Sequence, residues 1–217
     1  MVETGAWITI PAAMAGFIAG WLSAILTEWL TPAEDAPKIR WRSALIRDPL
    51  VQGGLAVVWA AIPLLVPGDL VRWLEGGLLA VPLVQVGVTD LRTRYVYTVI
   101  AGIGVLIGLA VGWQFHDGPW WSSLAGAAGG GVLFGVLYVF GRLLYRGGEP
   151  IARGDITIAA MVGAGAATLA LNALVYGILA SGILALVTLV ATRSRHSLMP
   201  YGPGLCLGGL ITLFLRT

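Results

Sequence analysis

Charge is what this chain has least of. Its 217 residues include 13 Lys and Arg and 11 Asp and Glu, so only 11% are charged while 58% are hydrophobic. A water-soluble domain carries about 25% charged residues to cover its surface, which excludes an ordinary soluble globular class. Cysteine is almost missing as well. The single Cys206 can close no internal disulfide and build no thiolate metal cage, and it reads as a small buried apolar side chain. No low-complexity segment and no repeat of solenoid length is present. No metal, no cofactor and no nucleic-acid partner is expected.

What is there is a series of apolar runs. A hydrocarbon core of about 30 Å takes roughly 20 apolar residues per helix. Such runs, divided by charged residues or by Gly and Pro, lie at about 6–30, 50–66, 71–89, 96–113, 122–145, 156–171, 173–191 and 200–215. They predict an all-α fold, a polytopic transmembrane helical bundle of about eight spans that forms a single domain over 1–217. The sixth and seventh runs are divided only by Asn172. The 31 glycines fit this class, because small residues let membrane helices approach closely. The first run is too long for a signal-peptide core and has no basic segment before it, so it reads as a retained span.

Orientation follows from the basic residues. Lys38, Arg40, Arg42 and Arg47 share one loop, and Arg92 and Arg94 a second. Arg142, Arg146 and Arg153 lie in a third, Arg193 and Arg195 in a fourth. These alternate loops hold eleven of the thirteen, with only Arg72 and Arg216 opposite. Basic loops are cytoplasmic, so both termini are predicted outside. The loop from Gln114 to Trp121 is then external, and Trp113, Trp120 and Trp121 suit an interfacial aromatic belt. The cytoplasmic loop 31–48 is the longest. A short interfacial helix and a plain connection both fit it.

Most of the carboxylates have ordinary explanations. Glu3, Asp69, Glu75 and Asp117 fall on or near the external side, while Glu34, Asp35 and Asp48 share a loop with four basic residues and are expected to form solvated pairs. Asp90 and Asp155 differ, since each sits where an apolar run meets the cytoplasmic boundary. An ionisable group at a span end is costly unless paired, wet or functional. Two carboxylates in one poorly hydrated pocket share a proton. The ionised one can take a proton from water while the protonated one polarises a peptide carbonyl, the arrangement of an aspartic protease. Gly154, beside Asp155, would let a substrate strand come close. The structural alternative is that Asp90 pairs with Arg92 or Arg94 and that Asp155 caps its helix.

The segment Asp90-Leu91-Arg92-Thr93-Arg94-Tyr95-Val96-Tyr97-Thr98 resembles the Asp-Leu-Arg-Thr-x-x-Ile-Pro-Asn motif of the type IV prepilin peptidase family. Ala152-Arg153-Gly154-Asp155-Ile156-Thr157-Ile158 is similar to that family's Gly-x-Gly-Asp-x-Lys-Leu, with Ala152 for the first glycine and Thr157 for the lysine. Met199-Pro200-Tyr201-Gly202-Pro203-Gly204-Leu205 resembles its Ile-Pro-Phe-Gly-Pro-Phe-Leu. The three motifs keep the family's order over about 80–217. The resemblance implies a membrane aspartyl endopeptidase of a prokaryotic cytoplasmic membrane, which removes leader peptides from pilin-like, pseudopilin-like or preflagellin-like precursors. It implies Asp90 and Asp155 as the catalytic pair. It further implies that Gly154, Glu149, Gly202 and Pro203 shape the site or bind substrate. Larger family members carry a zinc-binding, methylating insert where this chain has only the loop 31–48, without cysteine, so no methyltransferase activity is expected.

Two other readings stay open. One is the same fold without full catalysis, which the loss of the motif lysine at Thr157 favours. The other is a small transporter using Asp90 and Asp155 as ion ligands. Serine-type proteolysis is disfavoured, because His116 is predicted external and His196 lies in a cytoplasmic loop.

Overall fold

The computed structural model describes residues 3–30, 48–66, 68–94, 96–144, 151–192 and 201–215. Its described residues form eight helices and no strand. They are α1 (Glu3–Leu30), α2 (Pro49–Leu65), α3 (Leu70–Thr93), α4 (Thr98–Phe115), α5 (Trp121–Leu144), α6 (Arg153–Ala166), α7 (Ala170–Thr192) and α8 (Tyr201–Thr212). Among the described residues, each apolar run read from the sequence is therefore mostly helical. Five stretches are long and apolar enough to cross a membrane: Trp7–Leu30, Leu70–Thr93, Thr98–Phe115, Trp121–Leu144 and the 38-residue Arg153–Val190. At 17 residues α2 is shorter, and α8 has 12.

The outer surface is apolar. Trp7, Ile10, Leu22 and Trp29 of α1 and Val132, Val136, Val139, Phe140 and Leu143 of α5 are exposed. Surfaces this apolar need lipid or another apolar partner, because water would drive them together. Lipid tails are as apolar as leucine, so burial against them gives the helices no reason to associate. Close packing does. The glycines act here: a Cβ at Gly20 would come 2.8 Å from the Gln52 Cα, and one at Gly130 would run into the Ala159 carbonyl. These are the α1–α2 and α5–α6 crossings. Two adjoining cores result. One gathers Phe134, Ile158, Met161, Val162 and Leu205 around α6, and the other Val51, Leu55, Ile62, Leu79 and Phe115 around α2 and α3. Truncating a side chain buried like Phe134 typically costs about 3–5 kcal/mol.

The break in the 38-residue stretch differs from expectation. Asn172 lies inside α7 and is exposed. The chain turns instead at Ala167, with φ 46° and ψ −109°, through a 3-10 segment at Ala167–Leu169. The small run from Gly163 to Ala167 lets backbone carry the break. Ala164, Gly165 and Gly163 lie against glycines of neighbouring helices, and Ala164, Ala166 and Ala167 are buried. Gly108 and Gly112 of α4 meet it, inside a π-helical segment, Gly108–Gly112.

At the other end of the bundle, Asp69 caps α3 by accepting from the Arg72 N–H at 3.1 Å. The Arg72 guanidinium donates to the Phe115 carbonyl, Nη2 at 2.9 Å, and pairs with Asp117, which has φ 51°. This ties the start of α3 to the end of α4. Trp120 and Trp121 are exposed beside it.

Candidate functional site

Asp90 lies in the last turn of α3 and Asp155 in the first turn of α6. Both are buried, with 7% and 6% of their surface exposed. Gly202, second residue of α8, joins them: a Cβ built on it would strike the Asp90 carboxylate and come 2.9 Å from Cδ1 of Ile158, one turn past Asp155. The ends of α3, α6 and α8 thus meet at one point, and the Asp90 and Asp155 charges are near enough to act on each other.

The two carboxylates are held differently. Asp155 Oδ2 accepts the Ala152 N–H at 3.0 Å, the N3-to-N-cap half of a capping box. The structural role read for it from the sequence is therefore real, and it occupies one oxygen. Asp90 is different. Arg94 acts on its carboxylate through space, and no hydrogen bond from a described residue reaches it. Arg92 is turned away, with Nη1 3.0 Å from Oδ1 of Asp48. Asp90–Arg92 pairing is thus not what forms.

Asp48 itself corrects an expectation. Its loop position predicts a solvated carboxylate, yet it is 3% exposed. It is the N-cap of α2, its Oδ1 accepting from Leu50 N and Val51 N at 3.1 and 3.3 Å. The Asp48-Pro49 pair is a helix-start signal, with proline at the first position, and it was legible.

Gly154 packs against Val96, with the Val96 Cβ 2.7 Å from where its own would stand. Its lack of a side chain therefore admits the segment after α3 instead of leaving an open lane. Pro203 lines an apolar groove of about 610 Å³ with Gly53 of α2, Gly87 and Leu91 of α3, and Cys206. Its lining includes Leu91 and Pro203, the sequence neighbours of Asp90 and Gly202, but neither aspartate. Cys206 is buried, as expected. Glu149 lies outside the described residues, as do Tyr95, Pro200, His196 and the loop 31–47.

Beneath Asp90 lies a polar network that the sequence reading passed over. Ser23 Oγ donates to Gln85 Oε1 at 2.9 Å, and Thr89 Oγ1 donates to the Gln85 carbonyl at 2.7 Å. Gln52, fully buried on α2, has no hydrogen-bond partner for its amide among the described residues. The available signal was a glutamine in an apolar run, which is costly in lipid unless buried. Among the described residues no three His, Cys, Asp or Glu side chains converge as metal ligands would.

No protein-family model, no curated protein and no solved structure matches the chain.

Proposed function

We propose that the chain is a membrane aspartyl endopeptidase in which Asp90 and Asp155 act as a pair, cutting leader peptides from prepilin-like precursors at the cytoplasmic membrane face. One observation carries this reading. Three segments far apart in sequence, each resembling a prepilin peptidase motif, meet where Gly202 lies against Asp90 and Ile158. The chemistry needs only these groups and water. One carboxylate, ionised, takes a proton from water as the water oxygen bonds to the carbonyl carbon of the peptide bond. The other, protonated, donates to the carbonyl oxygen. The tetrahedral species then collapses: the C–N bond breaks, the departing amine takes up a proton from the carboxylate that received one, and a hydroxyl proton of the adduct returns to the other carboxylate as the carbonyl re-forms.

The reading carries an eight-pass arrangement with both termini outside. Five stretches long and apolar enough to cross a membrane, one of them the broken Arg153–Val190, support several passes, and the reading takes the shorter α2 and α8 as the remaining ones. Arg92, Arg94 and Arg153 at the Asp90 edge, against Arg72 at the far edge, support the orientation. The apolar groove beside Asp90 suits the apolar helix of a precursor, with the scissile bond at its cytoplasmic end. The organism class, a prokaryote with such precursors, rests on the motif resemblance alone.

A second reading has one observation behind it. Asp155 caps α6, and Thr157 stands where the motif has lysine, as in a subunit that keeps the fold without cutting. Co-expression with a pilin-like precursor separates them. Asp90→Asn and Asp155→Asn, each still in the membrane, are expected to leave the precursor full-length while the parent chain shortens it. Processing by either variant at the parent rate removes the catalytic pair.

A further inference from the structure

Side chains two apart on a helix do not face each other, so Arg92 leaves α3 on another side from Asp90. Its partner is Asp48, whose Oδ1 takes three donors: Arg92 Nη1 and the N–H groups of Leu50 and Val51. The last turn of α3 is therefore held from two sides, by Gly202 against Asp90 and by Asp48 against Arg92. Such an anchor has a reason to exist. Helix ends fray, because their last carbonyls lack partners. This one also stops at Arg94 in a left-handed conformation, φ 56°, which a residue with a Cβ adopts at a cost.

We propose that Arg92 and Asp48 are a positioning pair. Their ion pair fixes the last turn of α3 to the start of α2 and so holds the Asp90 carboxylate at working distance from Asp155. The inference rests on the endopeptidase reading and extends it to residues that touch no substrate. Reacting groups displaced by about 1 Å can lose on the order of 100-fold in rate, so a remote anchor has large leverage. The competing role is plain capping of α2, and the two separate cleanly. Asparagine caps as well as aspartate, so Asp48→Asn keeps the cap and loses the ion pair. Arg92→Ala loses the ion pair and leaves the cap carboxylate in place.

The test is precursor processing by the purified full-length chain in lipid nanodiscs, with amide exchange of Leu91 to Arg94 followed in the same samples. Arg92→Ala and Asp48→Asn are expected to lower kcat by on the order of 100-fold with KM little changed. Exchange at those amides should quicken roughly tenfold, the effect of loosening one helix turn. Arg92→Lys, which keeps the charge without the planar fork, should fall between. Unchanged kcat in both charge-removing variants overturns the proposal, as does a rise in KM alone. A kcat loss in only one of them overturns the pairing. If the parent chain processes no precursor, the endopeptidase reading fails by itself, and unchanged exchange would then reject the anchor too.

Discussion

Gly202 lies directly against the Asp90 carboxylate, leaving no room between them for a methyl group. Gly202→Ala must therefore displace either α8 or Asp90. Overpacking of this kind costs about 1–3 kcal/mol, and here the strain falls on a candidate catalytic group. Melting in detergent should show the loss, and processing should fall further than the lowered stability explains. Gly102→Ala, inside α4, is the control. A Cβ there meets nothing within 4 Å, and a helix gains about 0.5–1 kcal/mol from the exchange. Equal behaviour of the two variants would refute the packing argument.

A like open space at Gly53 tests the groove. Gly53→Trp puts a large apolar side chain into the groove with Gly87, Leu91 and Pro203, from a position where a Cβ meets nothing within 4 Å. Processing of the precursor should slow at least tenfold while the melting temperature stays within a few degrees. Parent-rate processing would mean that the substrate helix approaches by another face.

Asp155 has two roles that different substitutions separate. Asparagine still accepts the Ala152 N–H and alanine does not. Asp155→Ala should thus be less stable than Asp155→Asn, by about 0.5–2 kcal/mol. Both should be inactive if the carboxylate does chemistry. Thermal unfolding checks the first statement and processing the second. Equal stability would show that the capping bond contributes nothing.

His116 predicts acid sensitivity at the opposite edge. Burial first, and the Arg72 charge second, hold its pKa down at about 4 from an ordinary 6.5, with Asp117 opposing. Below pH 6.5 the unfolded chain takes up a proton that the folded chain refuses until about pH 4. Stability present above pH 6.5 is therefore lost as pH falls, by about 1.4 kcal/mol per unit and roughly 3 kcal/mol in all. His116→Gln removes that contribution. Its melting temperature should fall less between pH 7 and pH 4.5 than that of the parent chain. Parallel curves would contradict the burial argument.

Much of the architecture was legible because lipid asks a coarse question of a sequence. The stretch 122–145 carries a single charged residue, Arg142 near its end, and α5 at Trp121–Leu144 follows it closely. The meeting of Asp90, Asp155 and Gly202 was legible only through motif resemblance, since spacing says nothing about which helix ends touch. The Asp48–Arg92 pair was missed because a count of loop charges ignores the capping signal in Asp48-Pro49. Asn172 misled for a related reason. Asparagine is tolerated on an exposed helix face, whereas the small residues before Ala167 mark where backbones can touch and the chain can turn.

That turn limits how the chain can change. As an α-helix the 14 residues of α6 span about 21 Å, and the break at Ala167 falls at the end of the bundle away from Asp155, where Thr168 lies against Gly118 of the turn after α4. On one side α4 covers it with the π-helical segment holding Gly108 and Gly112, which lie against the Ala164 and Gly165 backbone. One residue inserted between Asp155 and Ala167 would turn the aspartate about 100° from its partner, or push the break out of that cover. Homologues of this chain should therefore keep this interval at constant length, however freely their side chains drift.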